Sequence, residues 1–218
     1  GKSVPDISLN AVANLGYADG RFFLPVMPGD TLNTVSTVIG IKENSNGKTG
    51  VVWVRTMGTN QRGETVMSFV RWVMVNKYEM DNPAPEPVIP DLPNVVPANE
   101  LSGFPAMKAW DKAFSGSPYT YDDYAVGEKI NHVDGMTGQM LAINAGSHVS
   151  PLFAGDTIYA WSEVLDKAEL SDTCGALRLR LVAVKDQDPG AYAYKGDDGK
   201  YASGVLLDFD YWAAIPRR

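Results

Sequence analysis

Two histidines, His132 and His148, are the side chains of this chain best suited to move protons near neutral pH, because imidazole titrates in that range. His148 belongs to the string INAGSHVSP at 143–151, between a glycine and a proline turn. It either lines a ligand channel or is a hydrogen-bonded structural histidine. The neighbouring Asn144, Ala145 and Gly146 could offer backbone groups to an extended ligand, since a glycine permits close approach.

Three other reactive side chains have simpler interpretations. Cys174 has no histidine near it in sequence, so we do not expect a nucleophile there. Asp30 and Asp156 each follow a glycine at the start of a predicted strand, which is typical of turn capping by a short carboxylate. Two histidines and one cysteine are too few for a structural zinc site, so we expect no metal.

Composition excludes several classes of protein. The 218 residues are 44% hydrophobic and 21% charged, which is ordinary for a globular protein long enough to bury a core. The net charge of −7 argues against nucleic acid as a partner. No apolar run is long enough to span a bilayer, so we predict no membrane partner. A single cysteine fits a reducing compartment, and we predict a cytoplasmic location.

A proline-rich stretch divides the chain. Six prolines occur between residues 82 and 97 and disfavour helix or central strand there. We predict a linker over 79–120, between a first repeat at 1–78 and a second repeat at 121–218.

The two halves resemble each other in an ordered series of matches, which indicates an internal duplication. At a shift of 126 residues the matching residues are Gly20 and Gly146, Pro25 and Pro151, Gly29-Asp30-Thr31 and Gly155-Asp156-Thr157, Ser36 and Ser162, and Val38 and Val164. With small changes in spacing the series continues with Gly50 and Gly175, Arg55 and Arg180, Phe69 and Phe209, and Trp72 and Trp212.

Strand signals dominate both halves. Alternation of apolar and polar residues and flanking turns predict strands over 31–41, 51–57, 65–75, 139–144, 157–165, 176–184 and 205–212. We predict cross-strand pairing of Arg178 and Arg180 with Asp208 and Asp210. Helix signals are limited to 7–15 and 106–113. Because so little helix cannot cover two sheets, we expect segments to be missing before Gly1 and near 137–138.

Several strings of this sequence resemble the MaoC-like hot-dog hydratase/dehydratase family. They are PVMPGDTL at 25–32, its counterpart PLFAGDTI at 151–158, YDDYAVGEKINHVDGMT at 121–137, TMGTNQRGETVMSFVRWVMVNK at 56–77, AGDTIYAWSEVL at 154–165 and VLLDFDYWAAIPRR at 205–218. The resemblance extends over nearly the whole chain. It implies an α+β fold, the double hot-dog, in which two antiparallel sheets each surround a central helix.

The resemblance also implies an activity, the reversible hydration of an enoyl-CoA thioester, with mesaconyl-CoA and β-methylmalyl-CoA as the expected pair. No cofactor is implied, because CoA is part of the substrate. The family's acid–base pair is an Asp or Asn followed five residues later by His. Neither histidine of this chain has that context, so the catalytic residues are unknown and are expected in the missing segment near 137–138.

Other residues acquire hypothetical roles from the resemblance. Residues 144–146 and His148 would bind the pantetheine arm and thioester. Arg217 and Arg218 would meet the CoA phosphates, unless they simply form a solvated basic terminus. Three arginines are candidates for an additional substrate carboxylate: Arg21, Arg71 and Arg180.

Two alternative functions stay open on the sequence. One is a hot-dog acyl-CoA thioesterase, which would release free CoA thiol, and the other is a non-catalytic all-β ligand-binding module. Exposed sheet edges predict a homodimer or a higher homo-oligomer in each case.

Overall fold

Nine antiparallel strands form one continuous sheet. A computed structural model describes residues 4–104, 106–107, 117–132, 138–188 and 194–218. The strands are β1 (Ala11–Phe22), β2 (Asn33–Glu43), β3 (Thr49–Thr59), β4 (Thr65–Asn76), β5 (Lys129–Asn131), β6 (Gln139–His148), β7 (Ile158–Glu169), β8 (Cys174–Lys185) and β9 (Val205–Pro216). Each predicted strand is present, and most are longer than the sequence pattern indicated.

The strand order, β2-β3-β4-β1-β6-β9-β8-β7-β5, follows the internal duplication. Apart from β5, the order reads the same in both directions if β1 to β4 are equated with β6 to β9. The two repeats meet where β1 pairs with β6, with Ala18 opposite Ala145. An approximate twofold axis therefore passes between these two strands.

The two antiparallel sheets that the resemblance implies are joined into one, because the β1–β6 pair connects the repeats edge to edge. Glycine makes this junction possible. A Cβ atom added at Gly16 would lie 2.2 Å from the carbonyl oxygen of Gly146 and 2.5 Å from the Trp72 ring. Only a residue without a side chain allows the backbones and Trp72 to approach so closely.

Helix is a minor part of the described residues. One α-helix, α1 (Pro5–Leu9), and two short 3₁₀ helices at 98–100 and 121–123 are present there. The predicted helix over 7–15 is wrong beyond Asn10, because residues from Ala11 onward pair with β4 instead. Most of the predicted helix at 106–113 and residue 137 of the 137–138 junction lie outside the described residues. The described residues contain no long central helix.

The sheet has two chemically different faces. Directly paired residues share a face, so Arg55, Val70, Ala18, Ala145 and Asp210 form a row across one side. We call this side the ion-pair face. The opposite side, the aromatic face, carries a row of Arg71, Tyr17, Gly146, Phe209 and Leu181.

The proline-rich linker packs against the ion-pair face. The backbone N–H of Val96 donates to Asn144 Oδ1 at 2.8 Å, and the indole N–H of Trp212 donates to the Val96 carbonyl at 3.0 Å. Val96 and Trp212 are buried in one cluster with Leu101. The described part of the linker thus supplies part of the core.

Cross-strand ion pairs stabilise the same face. Arg178 binds Asp210 through two hydrogen bonds of 3.0 and 2.6 Å, and Arg180 Nε lies 3.2 Å from Asp208 Oδ1. The predicted pairing of these arginines with these aspartates is confirmed.

Candidate functional site

His148 is the last residue of β6 and lies on the aromatic face beside Tyr17 of β1. The two ring centroids are 6.1 Å apart, in an edge-to-face arrangement. Asn14 Nδ2 donates a hydrogen bond of 2.7 Å to the Tyr17 hydroxyl oxygen. This bond orients the phenol and leaves its own O–H proton for a second acceptor. Imidazole, phenol and carboxamide are therefore neighbours at one end of β1 and β6.

A pocket of about 630 Å³ opens beside these residues. Its polar side chains are Asn14, His148 and Ser150, and its walls are largely apolar. The apolar lining includes Leu15, Leu152, Ile158, Leu206 and Leu207. The Oδ1 atom of Asn14 is buried and has no hydrogen-bond partner among the described residues. An apolar cleft with a few converging polar groups is the usual form of a small-molecule site.

The loop from β6 to β7, which contributes to this pocket, is held by its aspartate. Asp156 Oδ2 accepts a 3.0 Å hydrogen bond from the Phe153 N–H, and this bond lowers the pKa of the carboxyl group. In the first repeat Asp30 Oδ2 accepts a 2.8 Å bond from the Met27 N–H, with the same effect on the Asp30 pKa. Turn capping is confirmed for both aspartates.

The three residues predicted to bind substrate beside His148 lie in the centre of the sheet. Asn144 is fully buried, and its side chain accepts from the linker and donates a 2.6 Å bond to Asp210. Ala145 and Gly146 pair with β1 on one side and β9 on the other. A Cβ at Gly146 would lie 2.6 Å from the Phe209 ring, so this glycine lets the ring pack against the backbone of β6. Substrate binding by 144–146 stays a prediction.

The carboxyl-terminal arginines are bound to acidic side chains. Arg217 Nη1 lies 3.1 Å from Glu169 Oε2, and Arg218 pairs with Asp123. Leu207 of β9 pairs with His148, which borders the pocket. Nine residues of strand separate Leu207 from Pro216, so the two arginines lie about 30 Å from the pocket along β9. Their role at CoA phosphates stays a prediction.

The three candidate carboxylate-binding arginines occupy different faces. Arg21 pairs with Asp19 and Glu100 on the ion-pair face, where Arg180 pairs with Asp208. Arg71 lies on the aromatic face, directly opposite Tyr17 across β4 and β1. Only Arg71 shares a face with His148.

The second histidine, His132, follows β5 at the outer edge of the second repeat. Its Nε2 atom lies 2.7 Å from the Oγ atom of Ser162, which is fully buried. Burial lowers the pKa of His132 below its ordinary value, so the neutral imidazole is favoured. This contact gives His132 a structural explanation, although a second pocket of about 510 Å³ borders it.

Sequence reasoning missed Asn14 and Tyr17. Asn14 lies in the stretch predicted as helix, and Tyr17 lies just after it. The pairing of β1 with β4 is irregular between residues 14 and 16, which interrupts the alternation of side chains that would identify a strand.

Cys174 is buried, which raises the pKa of its thiol and fits the absence of a nucleophilic role. The described part of the chain contains no group of three or more potential metal-binding His, Cys, Asp or Glu side chains. Within it, no helix has the length and apolar character needed to cross a membrane.

Known proteins resemble this chain over its whole length. It is 48% identical to mesaconyl-CoA hydratase of Cereibacter sphaeroides and 43% identical to beta-methylmalyl-CoA dehydratase of Chloroflexus aurantiacus. Each alignment covers 100% of this chain and 79% of the relative. The family model of the FAS1-like dehydratase domain region matches residues 7–69.

Solved structures agree with these relatives. A putative MaoC domain protein dehydratase from Chloroflexus aurantiacus superposes with a TM-score of 0.89 at 43% identity, covering 100% of this chain and 79% of that one. A Mycobacterium tuberculosis protein described as a double hot-dog gives a TM-score of 0.60 at 18% identity, over 98% of this chain and 80% of that one. The fold is thus the double hot-dog, and the chain belongs to the MaoC-like hydratase/dehydratase family.

Proposed function

We propose that this protein is a hydro-lyase that reversibly hydrates an enoyl-CoA thioester, converting mesaconyl-CoA to β-methylmalyl-CoA. The observation that carries the proposal is the identity of 48% and 43%, over the whole chain, to relatives named for the two directions of this reaction. Mesaconyl-CoA is the 2-methylfumaryl thioester, so water adds to the carbon that carries the free carboxylate and a proton adds to the carbon next to the thioester.

The pocket beside His148 suits the acyl end of this substrate. Its walls are largely apolar, and the O–H of Tyr17, which lies beside the pocket, can donate to the thioester oxygen, where negative charge develops. The buried Asn14 Oδ1 can accept from an amide N–H of the pantetheine arm. We assign to His148 a hydrogen bond to the thioester or to the pantetheine arm.

The family's acid–base pair requires residues that this chain does not contain. The alignment with mesaconyl-CoA hydratase extends over 274 positions against 218 residues here, so at least 56 positions have no counterpart in this sequence. We propose that the missing positions include the central helix with the Asp or Asn and His pair, and that they interrupt the chain at 137–138. The aromatic face is the side of the sheet with partly exposed rings that such a helix would cover.

Direct assay tests the proposal. Mesaconyl-CoA is incubated with the protein expressed from its complete coding sequence, and the product is identified by mass. We expect gain of one water without release of CoA thiol. Free thiol would instead indicate a thioesterase, and binding without turnover a ligand-binding module. Sequencing the coding region across 137–138 tests the missing segment, and an uninterrupted junction would refute it.

Replacing His148 tests the site. His148→Ala should lower kcat/KM for hydration about 10-fold, the scale of a lost hydrogen bond to the substrate. The matched control is His132→Ala, which removes an imidazole that lies outside the His148 pocket. The rate of the folded variant should stay within about threefold of the wild-type rate. An unchanged rate in His148→Ala would remove this residue from the mechanism.

Three further expectations accompany the reaction. Hydration needs neither metal nor redox cofactor, so activity should survive chelation and dialysis. We also propose a cytoplasmic location, which cell fractionation tests. The outer strand β2 presents an exposed edge, and we propose a homodimer or a higher homo-oligomer, which light scattering tests.

A further inference from the structure

We propose that Arg71 binds the free carboxylate of the acyl group and thereby makes the enzyme select dicarboxylic acyl thioesters. This inference rests on the proposed function and assigns the residue that distinguishes a dicarboxylic substrate from a neutral one.

The position of Arg71 is the first argument. It lies in the row that contains Tyr17 and Gly146, so two strand spacings, about 10 Å, separate its Cα from that of Gly146. His148 is two residues further along β6, at a Cα distance of about 12 Å from Arg71. Because side chains of a strand stand roughly perpendicular to the sheet, this separation leaves room for a five-carbon acyl group between guanidinium and imidazole.

The cavities on this face give the second argument. Arg71 lines a pocket of about 280 Å³, together with Asn14. Asn14 also lines the pocket of about 630 Å³ that contains His148. The two cavities therefore flank the same residue of β1, with a cationic wall on one side and the imidazole on the other.

The third argument is the place of each arginine on the sheet. Every arginine of the chain lies within the described residues. Four of them lie on the ion-pair face: Arg21, Arg55, Arg178 and Arg180. Arg62 lies in the β3–β4 turn, and Arg217 and Arg218 lie at the end of β9, far from the His148 pocket. Arg71 is the arginine that lies in the same row of the aromatic face as Tyr17.

Chemistry connects this placement to selectivity. A guanidinium binds a carboxylate through two parallel N–H···O bonds, which fix the orientation of the carboxylate plane. In mesaconyl-CoA the carboxylate is attached to the carbon that receives water. Its capture by Arg71 would position that carbon, whereas a neutral acyl group gains nothing from the same side chain.

A comparison of two substrates tests the proposal. Tiglyl-CoA has a methyl group where mesaconyl-CoA has the carboxylate and is otherwise the same acyl thioester. For Arg71→Met we expect kcat/KM for mesaconyl-CoA to fall 10- to 100-fold, the usual range for a lost charged hydrogen bond, and that for tiglyl-CoA to stay within about threefold. Arg71→Lys should recover part of the loss. Arg21→Met is the matched control on the other face and should leave the ratio of the two substrates unchanged.

The ratio of the two substrates distinguishes a role of Arg71 in selectivity from a general loss of activity. The two kcat/KM values are measured on one preparation. Partial unfolding of a variant therefore lowers both values by the same factor and leaves their ratio unchanged. Where tiglyl-CoA turns over too slowly, calorimetric dissociation constants of the two thioesters supply the ratio. Equal losses for both thioesters would overturn the role of Arg71 while leaving hydration intact. A wild-type protein that hydrates neither thioester would refute the proposed function itself, and with it this inference.

Discussion

The two repeats have equivalent strands but differ in what covers them. Val38 of β2 and Val164 of β7 occupy matching positions, yet Val38 is 53% exposed and Val164 is 0% exposed. Val164 packs in a cluster with Tyr121 and Tyr124, which belong to the segment before β5. Among the described residues, no corresponding segment covers Val38. Strand formation therefore depends on the pattern within each strand, whereas burial depends on segments outside the equivalent strands.

The polar centres of the ion-pair face show the same difference. In the first repeat Asp19 pairs with Arg21 and Arg55, whose side chains are about a quarter to a third exposed. In the second repeat Asp210 binds Arg178 and the fully buried Asn144. Arg178 is 23% exposed, so the second centre differs from the first mainly through its buried amide, which also accepts from the linker.

The largest expected effect comes from breaking the more deeply buried centre. Asp210→Asn should lower the free energy of unfolding by about 3 kcal/mol, because it breaks the bidentate pair with Arg178 and the acceptor of the fully buried Asn144, which holds the linker. Asp19→Asn should cost about 1 kcal/mol, since Arg21 and Arg55 reach water and Arg21 keeps Glu100. Chemical denaturation of both variants measures the difference. Equal losses would show that the bond to Asn144 adds no stability to the second centre.

An intermediate effect is expected at the matched valines. Val164→Ala should lower the free energy of unfolding by about 2 kcal/mol, from lost burial and a residual cavity. Val38→Ala removes the same atoms from an exposed position and should cost less than about 0.5 kcal/mol. If the two losses are similar, Val38 is covered in the protein in solution, for example by a second subunit.

The smallest effect concerns two matched serines. Ser36 bonds the neutral hydroxyl of Thr56 at 2.9 Å, whereas Ser162 bonds His132. Burial lowers the pKa of His132 from its ordinary value of 6.5. When the pH falls below that value, the unfolded chain binds a proton at this histidine that the folded protein does not bind. The free energy of unfolding should therefore fall as the pH drops through that value.

Comparison of wild type with His132→Gln isolates this effect from the titration of carboxylates. Unfolding curves at about pH 7.5 and about pH 5.5 should show a smaller pH-dependent loss in the variant. The same loss in both proteins would mean that His132 is protonated as easily in the folded state as in the unfolded one.

Much of the architecture could be predicted from local patterns. Alternating Leu177, Leu179 and Leu181 identify β8, and the matches from Gly20–Gly146 to Trp72–Trp212 identify the duplication that the strand order reproduces. The pairing of Arg178 and Arg180 with Asp208 and Asp210 followed from the same alternation. These features depend on side-chain period and local turn chemistry, which are present in the sequence itself.

The candidate site was only partly predictable. His148 was identified by its type and its glycine neighbour, whereas Asn14 and Tyr17 were hidden in a stretch that also suits a helix. Their proximity to His148 depends on the pairing of β1 with β6 across more than a hundred residues. Local propensity contains no information about such a pairing, so the predicted helix beyond Asn10 was wrong.

The sequence by itself determined the repeated strands, the turn-capping roles of Asp30 and Asp156, and the family resemblance, because each depends on residues close together in the chain. Only the tertiary structure decided that the repeats share one sheet, that the linker is held by Asn144 and Trp212, and that Arg71 faces the side of His148 while Arg21 and Arg180 do not. The physical reason is that a strand's register determines which face each side chain occupies, and register depends on the partner strand.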